Sequence, residues 1–298
     1  LAHALARDPS TENLHAASRS LLATRPTAVN LRWALDAVIA YVHELDPAGR
    51  ADAALARAQA LRTSDIANCS RIGEHGLQLL RALRSAGTLN IMTHCNAGWL
   101  ATIEWGTALA PVYKAHREGI PVHVWVSETR PRNQGVNLTA WELQRAGVPC
   151  TVVTDSGCGP LLREGAVDCV LVGSDRTAAN GDVCNKVGTY LKALAARDND
   201  VPFYVALPST TIDWTITDGL REIPIEERGA EEVTHVSGLD GNNVREVRIV
   251  AEASPVRNDA FDVTPARLVT GLITERGVCA ASEEGLAGLF PDRAGAAA

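Results

Sequence analysis

The sequence predicts an α/β protein with a mainly helical N-terminal domain over residues 1–87 and a Rossmann-like domain over residues 88–298. The second domain is expected to hold a mostly parallel sheet with helices on both faces. Three observations support this prediction. Apolar residues recur at helical spacing up to residue 87, short β-branched runs alternate with helical stretches from Thr88 onward, and polar residues follow those runs directly.

Composition narrows the class of protein. The chain has 298 residues, of which 46% are hydrophobic and 21% charged, and its net charge is -7. These values are typical of a globular protein and exclude a disordered, collagen-like or coiled-coil chain. Because there is no basic stripe and no apolar run long enough to span a bilayer, we expect neither nucleic acid nor a membrane as a partner. A phosphorylated small molecule remains compatible with this charge.

The cysteines indicate a reducing compartment. There are seven, an odd number, and no two of them form a C-x-x-C pair, so neither a zinc ribbon nor a thioredoxin-type centre is predicted. Cys150 and Cys169 lie in apolar, strand-like runs, which favours buried thiols. We therefore expect a cytoplasmic protein.

The spacing of apolar residues predicts helices over residues 14–22, 31–45 and 51–61 of the first domain. Thr63, Ser64 and Asp65 resemble the cap of a further helix that runs to Leu83. Pro26 is expected to end one helix and to allow the next to begin.

Five short apolar runs in the second domain predict strands, and four helical stretches separate them. The predicted strands cover residues 89–93, 122–126, 150–154, 167–172 and 201–207. The predicted helices cover residues 102–117, 139–146, 160–164 and 186–196. This alternation is typical of βαβ units and a parallel sheet.

Polar residues follow all five predicted strands. In an open parallel sheet, ligands bind outside the carboxyl ends of the strands, so these residues are expected to share one edge. The polar segments are residues 93–98, 127–131, 155, 173–176 and 208–211. Five such segments in succession predict an active site at this edge.

Three residues at this edge are candidates for chemistry. Cys95 precedes a predicted helix start, where backbone amides favour a thiolate, although a small core residue is the alternative. Asp175 ends an apolar strand and is either a functional acid, a helix cap or a partner of Arg176. Lys186 is expected to open a helix, where it would either bind phosphate or remain solvated.

Other sequence motifs add little. The segment from Gly157 to Gly159 opens like a dinucleotide-binding fingerprint but lacks its third glycine, which disfavours NAD binding. There is no Walker A loop, no G-x-S-x-G elbow and no H-E-x-x-H motif. No metal site is predicted.

Several blocks together resemble the methylthioribose-1-phosphate isomerase family, within the larger group that includes regulatory subunits of translation initiation factor 2B. The blocks cover nearly the whole chain in the expected order. They are R-P-T-A-V-N-L (25–31), T-H-C-N-A-G (93–98), S-E-T-R-P-R-N-Q-G (127–135), L-T-A-W-E-L (138–143), G-S-D-R-T-A-A-N-G-D (173–182), N-K-V-G-T-Y (185–190), I-P-I-E-E-R (223–228), F-D-V-T-P (261–265) and L-I-T-E-R-G (272–277).

The resemblance implies an aldose–ketose isomerase of methionine salvage that converts 5-methylthioribose 1-phosphate into 5-methylthioribulose 1-phosphate. It implies no cofactor and a homodimer. Carried over by motif, Cys95 and Asp175 become the catalytic pair. The implied substrate contacts, chiefly to phosphate and sugar hydroxyls, are Arg25, Gln134, Asn185 and Lys186.

Two departures from the family pattern bear on the substrate. The family carries an R-G-A-P motif that contributes to phosphate binding, and this chain starts after the corresponding position, so we expect a missing N-terminal segment. The family loop that follows Asp155 usually contains methionine and histidine, whereas residues 156–160 read S-G-C-G-P here. This loop is expected to alter the pocket near the methylthio group.

Two alternatives stay open on the sequence. One is an isomerase of another 1-phosphorylated pentose, such as 5-deoxyribose 1-phosphate or ribose 1,5-bisphosphate. The other is a non-catalytic regulatory subunit like those of the initiation factor. The presence of both Cys95 and Asp175 within complete blocks favours an enzyme.

Overall fold

The computed structural model describes residues 1–24, 29–84 and 87–293. The α-helices are α1 (Ala2–Leu5), α2 (Thr11–Ala23), α3 (Val29–Val42), α4 (Arg50–Leu83), α5 (Leu109–Arg117), α6 (Ala140–Arg145), α7 (Cys158–Arg163), α8 (Thr189–Asp198), α9 (Gly219–Glu222), α10 (Glu231–Thr234) and α11 (Glu283–Leu289). The strands are β1 (Leu89–Thr93), β2 (Val122–Ser127), β3 (Cys150–Val153), β4 (Cys169–Val172), β5 (Arg176–Ala178), β6 (Val183–Lys186), β7 (Phe203–Ala206), β8 (Ile212–Asp213), β9 (His235–Asp240), β10 (Asn243–Arg248), β11 (Phe261–Thr264), β12 (Gly271–Thr274) and β13 (Gly277–Cys279).

The main sheet has seven strands in the order β13-β12-β7-β4-β1-β2-β3. All neighbours in it are parallel except β13, which runs antiparallel to β12. Numbered along the chain, the six parallel strands follow the doubly wound order 3-2-1-4-5-6, in which ligands bind where the order reverses. The reversal falls between β1 and β4, so the ends of these two strands define the expected binding crevice.

Helices cover both faces of this sheet, as the sequence predicted. Ile91, Val124 and Leu171 belong to a core cluster that includes residues of α4, α5 and α6. Met92 and Val170, which neighbour two of these residues along their strands, belong to a second cluster with residues of α7, α8 and α11. Because successive strand residues point to opposite faces, the near-continuous apolar runs are explained by burial on both sides.

Helix α4 corrects the prediction for the first domain. The two helices expected over residues 51–61 and 63–83 form one continuous helix. The Thr63 hydroxyl donates to the carbonyl of Gln59 one turn earlier, at 3.1 Å, and caps nothing. Packing explains the continuity, because the second half of α4 lies against α5: a Cβ added to Gly76 would sit 2.2 Å from Cγ of Pro111. Tertiary contacts thus override a local cap signal.

Arg50, the first residue of α4, connects the start of α2 with the end of α3 through hydrogen bonds. The side chain is buried, with 7% of its surface exposed. Its guanidinium donates to the carbonyl oxygens of Leu45, Pro9 and His43 and to the hydroxyl of Thr11, at 2.8–3.1 Å. Carbonyls that would otherwise lack donors are satisfied by one planar cation.

Lys186 and its neighbour Asn185 correct a second prediction. They do not open a helix but end β6, which pairs with β11 in a separate four-stranded sheet of order β11-β6-β5-β8. Helix α8 begins only at Thr189, after Gly188 in the left-handed region at φ +99. The partner strand β11 lies some 75 residues further along the chain, so local sequence could not reveal this pairing.

The boundaries of other helices also differ from those predicted. The helix predicted from residue 102 begins at Leu109, and a π-helical turn over Gly135–Thr139 precedes α6. The break predicted around Pro26 falls on residues 25–28, which lie outside the described residues. None of the helices in the described ranges is both long and apolar enough to cross a membrane.

Candidate active site at the carboxyl edge of the sheet

Cys95 follows β1 directly and has a left-handed backbone conformation, with φ +61. Its N–H donates to Oγ1 of Thr129 at 2.8 Å, and its carbonyl oxygen accepts from Oγ1 of Thr139 at 2.6 Å. A side chain with a Cβ rarely adopts this conformation, so the surrounding structure must hold it. The two threonines fix the Cys95 backbone from both sides.

The expectation that helix amides favour a thiolate at Cys95 is wrong. The residues after it form a short 3-10 turn over Trp99–Ala101, and the next α-helix begins at Leu109. Burial and the nearby Asp175 carboxylate raise the pKa of Cys95 to about 11, and the Lys186 ammonium opposes them only in part. The thiol therefore keeps its proton at neutral pH.

Asp175 lies between β4 and β5, across the switch point from Cys95. Its backbone N–H donates to the carbonyl oxygen of Cys184 at 2.9 Å, which fixes the turn between the two sheets. Its carboxylate raises the pKa of both Cys95 and Cys184. Asp175 therefore lies within electrostatic range of the Cys95 thiol, although 80 residues separate them in the sequence.

Lys186 is a buried cation in the same crevice. Only 5% of its surface is exposed, which excludes the solvated alternative, and its Nζ lies 4.4 Å from the centroid of the Phe261 ring. Burial lowers the pKa of Lys186, and so do Arg228 and Arg132, while negative charge at Cys95 or Asp175 raises it. Lys186 thus shares one electrostatic environment with both predicted catalytic residues.

The two arginines near Lys186 were not assigned from sequence, although both lie inside the blocks that carry the resemblance. Nε of Arg228 donates to Oε1 of Glu226 at 2.8 Å, and Nε of Arg132 lies 3.5 Å from Oε1 of Glu232. Both arginines lie within electrostatic range of Lys186, and such a group of cations is suited to a phosphate. The signal that could have identified them is their place in two of these blocks, Arg132 within residues 127–135 and Arg228 at the end of residues 223–228.

The remaining predicted substrate contacts are Gln134, Asn185 and Arg25. Gln134 precedes the π-helical turn, and its Oε1 is buried without a hydrogen-bond partner among the described residues. The side-chain oxygens of Asn96 and Asn133 are also buried, and none of the described residues donates to them. Nδ2 of Asn185 donates to Oγ1 of Thr189 at 3.1 Å. Arg25 lies outside the described residues.

Unpartnered oxygens of this kind are uncommon, because a buried acceptor without a donor costs about 1–3 kcal/mol. The hydroxyls of a bound sugar would supply donors. In the described part of the chain, no group of three or more His, Cys, Asp or Glu side chains is arranged to hold a metal ion.

A polar network that includes His94, the residue before Cys95, was not predicted. Oδ1 of Asp155 accepts a short hydrogen bond from Oγ of Ser127, and it lies 3.6 Å from Nζ of Lys192. Nε2 of His94 donates to the carbonyl oxygen of Val187 at 2.8 Å, which places a proton on that nitrogen. Burial and Lys192 lower the pKa of His94 to about 3, so the ring is neutral. Asp155, whose pKa is lowered by Ser127 and Lys192 against the opposing effect of burial, carries the charge.

The fold defines a doubly wound α/β protein, and Cys95 and Asp175, at the ends of the two strands where the order reverses, lie within electrostatic range of the buried Lys186. The chain belongs to the Initiation factor 2 subunit family, whose model matches residues 2–281.

Comparison with individual proteins supports this assignment. The chain is 61% identical to a methylthioribose-1-phosphate isomerase of Rhodospirillum rubrum, over 97% of this chain and 77% of that protein. It is 59% identical to one of Methylorubrum populi, over 100% of this chain and 82% of that protein.

Solved structures agree. The 5-methylthioribose 1-phosphate isomerase of Pyrococcus horikoshii OT3 superposes with a TM-score of 0.80 at 38% identity, covering 93% of this chain and 75% of that one. The translation initiation factor eIF-2B subunit delta of A. fulgidus superposes with a TM-score of 0.75, also at 38% identity, covering 94% and 78%.

Proposed function

We propose that this protein is an aldose–ketose isomerase that converts 5-methylthioribose 1-phosphate into 5-methylthioribulose 1-phosphate, in methionine salvage. One observation carries the proposal: the Cys95 thiol and the Asp175 carboxylate lie within electrostatic range of one another and of the buried Lys186. An acid–base pair beside a cation is what proton transfer on a phosphorylated sugar requires. The relatives named as methylthioribose-1-phosphate isomerases support the substrate.

The phosphate is assigned to the cationic side of the crevice. Arg132 and Arg228 both lie within electrostatic range of Lys186. A phosphate dianion would relieve their mutual repulsion and strengthen each interaction where water is excluded. Asn185, Gln134 and, from outside the described residues, Arg25 complete the proposed substrate contacts.

The pairing of Cys95 and Asp175 assigns their roles. A carboxylate at Asp175 disfavours the thiolate, so protonation of Asp175 makes Cys95 the stronger acid. Transfer of the thiol proton to Asp175 gives a minor state, with a neutral Asp175 and a Cys95 thiolate, that supplies one acid and one base. Asp175 is the acid for ring opening, and Cys95 moves the proton between the two carbons.

The reaction then proceeds without a net change in either residue. Asp175 gives its proton to the ring oxygen as the bond between this oxygen and C1 breaks. The Cys95 thiolate removes the proton from C2, and the released electron pair forms the C1–C2 double bond of an enol phosphate. The thiol returns this proton to C1, while the C2 hydroxyl gives its proton to Asp175 and becomes the ketone.

Turnover on a panel of sugars tests this proposal. 5-Methylthioribose 1-phosphate, 5-deoxyribose 1-phosphate and ribose 1,5-bisphosphate would be compared for wild type, Cys95→Ser and Asp175→Asn, with Cys279→Ser as a cysteine control. A preference for the first sugar that both site variants lose supports the proposal. Preference for another sugar would reassign the substrate, and a Cys95→Ser enzyme with most of its kcat would contradict the catalytic assignment.

We also propose a homodimer. The β9–β10 hairpin exposes apolar side chains, with Leu239 78% and Val244 75% exposed, which is unusual for a surface that remains in water. Light scattering after size-exclusion chromatography tests this: a mass of about 63 kDa, twice the 31.6 kDa of the chain, is expected, and a monomer would contradict it.

A cytoplasmic location is proposed on the state of the cysteines. All seven are free thiols, and four of them are buried. Free thiols are characteristic of a reducing compartment. Fractionation of cells that produce the full-length protein tests this location, and recovery of the protein outside the cytoplasm would contradict it.

A further inference from the structure

We infer that Thr129 is the positioning residue for Cys95, and that the Asp155 carboxylate holds Thr129 in place. The inference rests on the proposed function of Cys95. Thr129 contacts the Cys95 backbone rather than any reacting atom, so its effect on the reaction passes through Cys95.

Two left-handed residues are linked directly. Cys95 has φ +61 and Thr129 has φ +68, and the N–H of the first donates to Oγ1 of the second at 2.8 Å. Thr129 is β-branched, which makes a positive φ an outlier that persists only where tertiary contacts enforce it. Each of these residues therefore depends on the contacts of the other.

Asp155 accepts the hydrogen bonds that hold the backbone of Thr129 in its left-handed conformation. Its Oδ1 accepts from the backbone N–H of Thr129 at 3.0 Å, and its Oδ2 accepts from the N–H of Arg130 at 2.7 Å. One carboxylate thus binds two successive amides, an arrangement that favours the positive φ of the first. The buried Lys192 ammonium, 3.6 Å away, helps to keep this carboxylate ionised.

The Thr129 hydroxyl has three hydrogen-bond neighbours. It accepts from the Cys95 N–H at 2.8 Å, donates to the carbonyl oxygen of Ser127 at 2.9 Å, and lies 3.4 Å from Nδ1 of His94. The same loop continues to Gln134, and the N–H of Asn133 donates to the carbonyl of Thr129 at 2.8 Å. Thr129 therefore connects the Cys95 backbone to the loop that carries a proposed substrate contact.

A pair of variants tests this inference in the full-length protein. Thr129→Val removes the hydroxyl but keeps the shape, and Thr129→Ser restores the hydroxyl. The first readout is the rate at which iodoacetamide alkylates Cys95, measured by peptide mass spectrometry relative to Cys279 in the same molecules. The second readout is kcat and KM with 5-methylthioribose 1-phosphate.

We expect Thr129→Val to change the alkylation ratio at least fivefold and to lower kcat at least tenfold, with KM within threefold of wild type. Thr129→Ser should restore both. A valine variant with both values within twofold of wild type would overturn the inference, and so would a serine variant that behaves like valine.

If Thr129→Val does not fold, Asp155→Asn gives a second test, because an amide has only one acceptor oxygen for the two backbone N–H groups. The alkylation ratio should again change at least threefold, and an unchanged ratio would overturn the inference. Absence of turnover in the wild type would contradict the proposed function alone, since the alkylation ratio still decides the role of Thr129.

Discussion

The surroundings of Cys95 predict what fraction of its side chain is ionised. With its pKa raised to about 11 by burial and by Asp175, about one Cys95 side chain in 10,000 is a thiolate at pH 7. A cysteine of ordinary pKa, about 8.5, is a thiolate in about three molecules in 100 at the same pH. Cys95 should therefore react with a thiolate-specific reagent about 300 times more slowly than a free thiol, before any effect of access is counted.

Two variants should move this pKa in opposite directions. Asp175→Asn removes the negative charge that disfavours the thiolate, so the pKa of Cys95 should fall. Lys186→Met removes the cation that favours the thiolate, so the pKa should rise. Because these groups are buried or half-buried, raising the salt concentration should change both shifts little.

Brief iodoacetamide pulses between pH 7 and pH 10.5 give the measurement, with glutathione as the free-thiol control and Cys95 quantified by peptide mass spectrometry. The wild-type rate should rise about tenfold per pH unit up to about pH 10, without a plateau. A plateau by pH 8.5 would refute the reasoning, because it would mean that the crevice stabilises the thiolate.

Three further outcomes are expected. Arg50→Met should lower the free energy of unfolding by about 2–4 kcal/mol, because it leaves buried carbonyls without donors, and Arg50→Lys should lower it less. Urea titration measures both, and a change under about 0.5 kcal/mol for Arg50→Met would contradict the role of Arg50 as the donor to these carbonyls. Gly76→Ala should destabilise the protein by about 1–3 kcal/mol through its clash with Pro111, whereas Gly49→Ala, whose Cβ meets no atom of the described residues within 4 Å, should not. Equal thermal midpoints of the two variants would contradict the role of this packing. Arg132→Met should raise KM for the phosphorylated sugar at least tenfold with kcat within threefold, and an unchanged KM would remove Arg132 from the phosphate site.

The strands and their ends were predictable from sequence because they depend on local pattern. The five predicted strands all occur, and the polar residues after β1 and β4 meet at the switch point as the rule for parallel sheets requires. Helices on both faces are confirmed as well. The division of the chain at residue 87 stays a prediction.

What the sequence did not reveal depends on distant partners. Lys186 ends a strand because β11 pairs with it, and Thr63 lies inside a helix because α4 packs along α5 and the sheet. The second sheet was not predicted for the same reason. The β9–β10 hairpin was not predicted either, although Asp240 and Asn243 pair across a tight turn at Gly241, which is a local signal. Local signals set preferences of about 1 kcal/mol, which tertiary packing readily exceeds.

The site was predicted in part. Cys95, Asp175 and Lys186 were named from motifs, and the structure brings them together. The thiolate expected at Cys95 was wrong, because its ionisation depends on burial and on a carboxylate that the fold brings in from 80 residues away. Asp155 was seen as one more polar residue at a strand end, since its role depends on geometry that no spacing encodes.

A double-mutant cycle tests the central claim, that Cys95 and Asp175 act as one acid–base pair. The measurement is kcat on 5-methylthioribose 1-phosphate for wild type, Cys95→Ser, Asp175→Asn and the double variant. If the residues act as a unit, each single variant loses at least a thousandfold and the double variant is no slower than the slower single one. Losses that multiply in the double variant would contradict the claim, because two independent residues lower the rate separately.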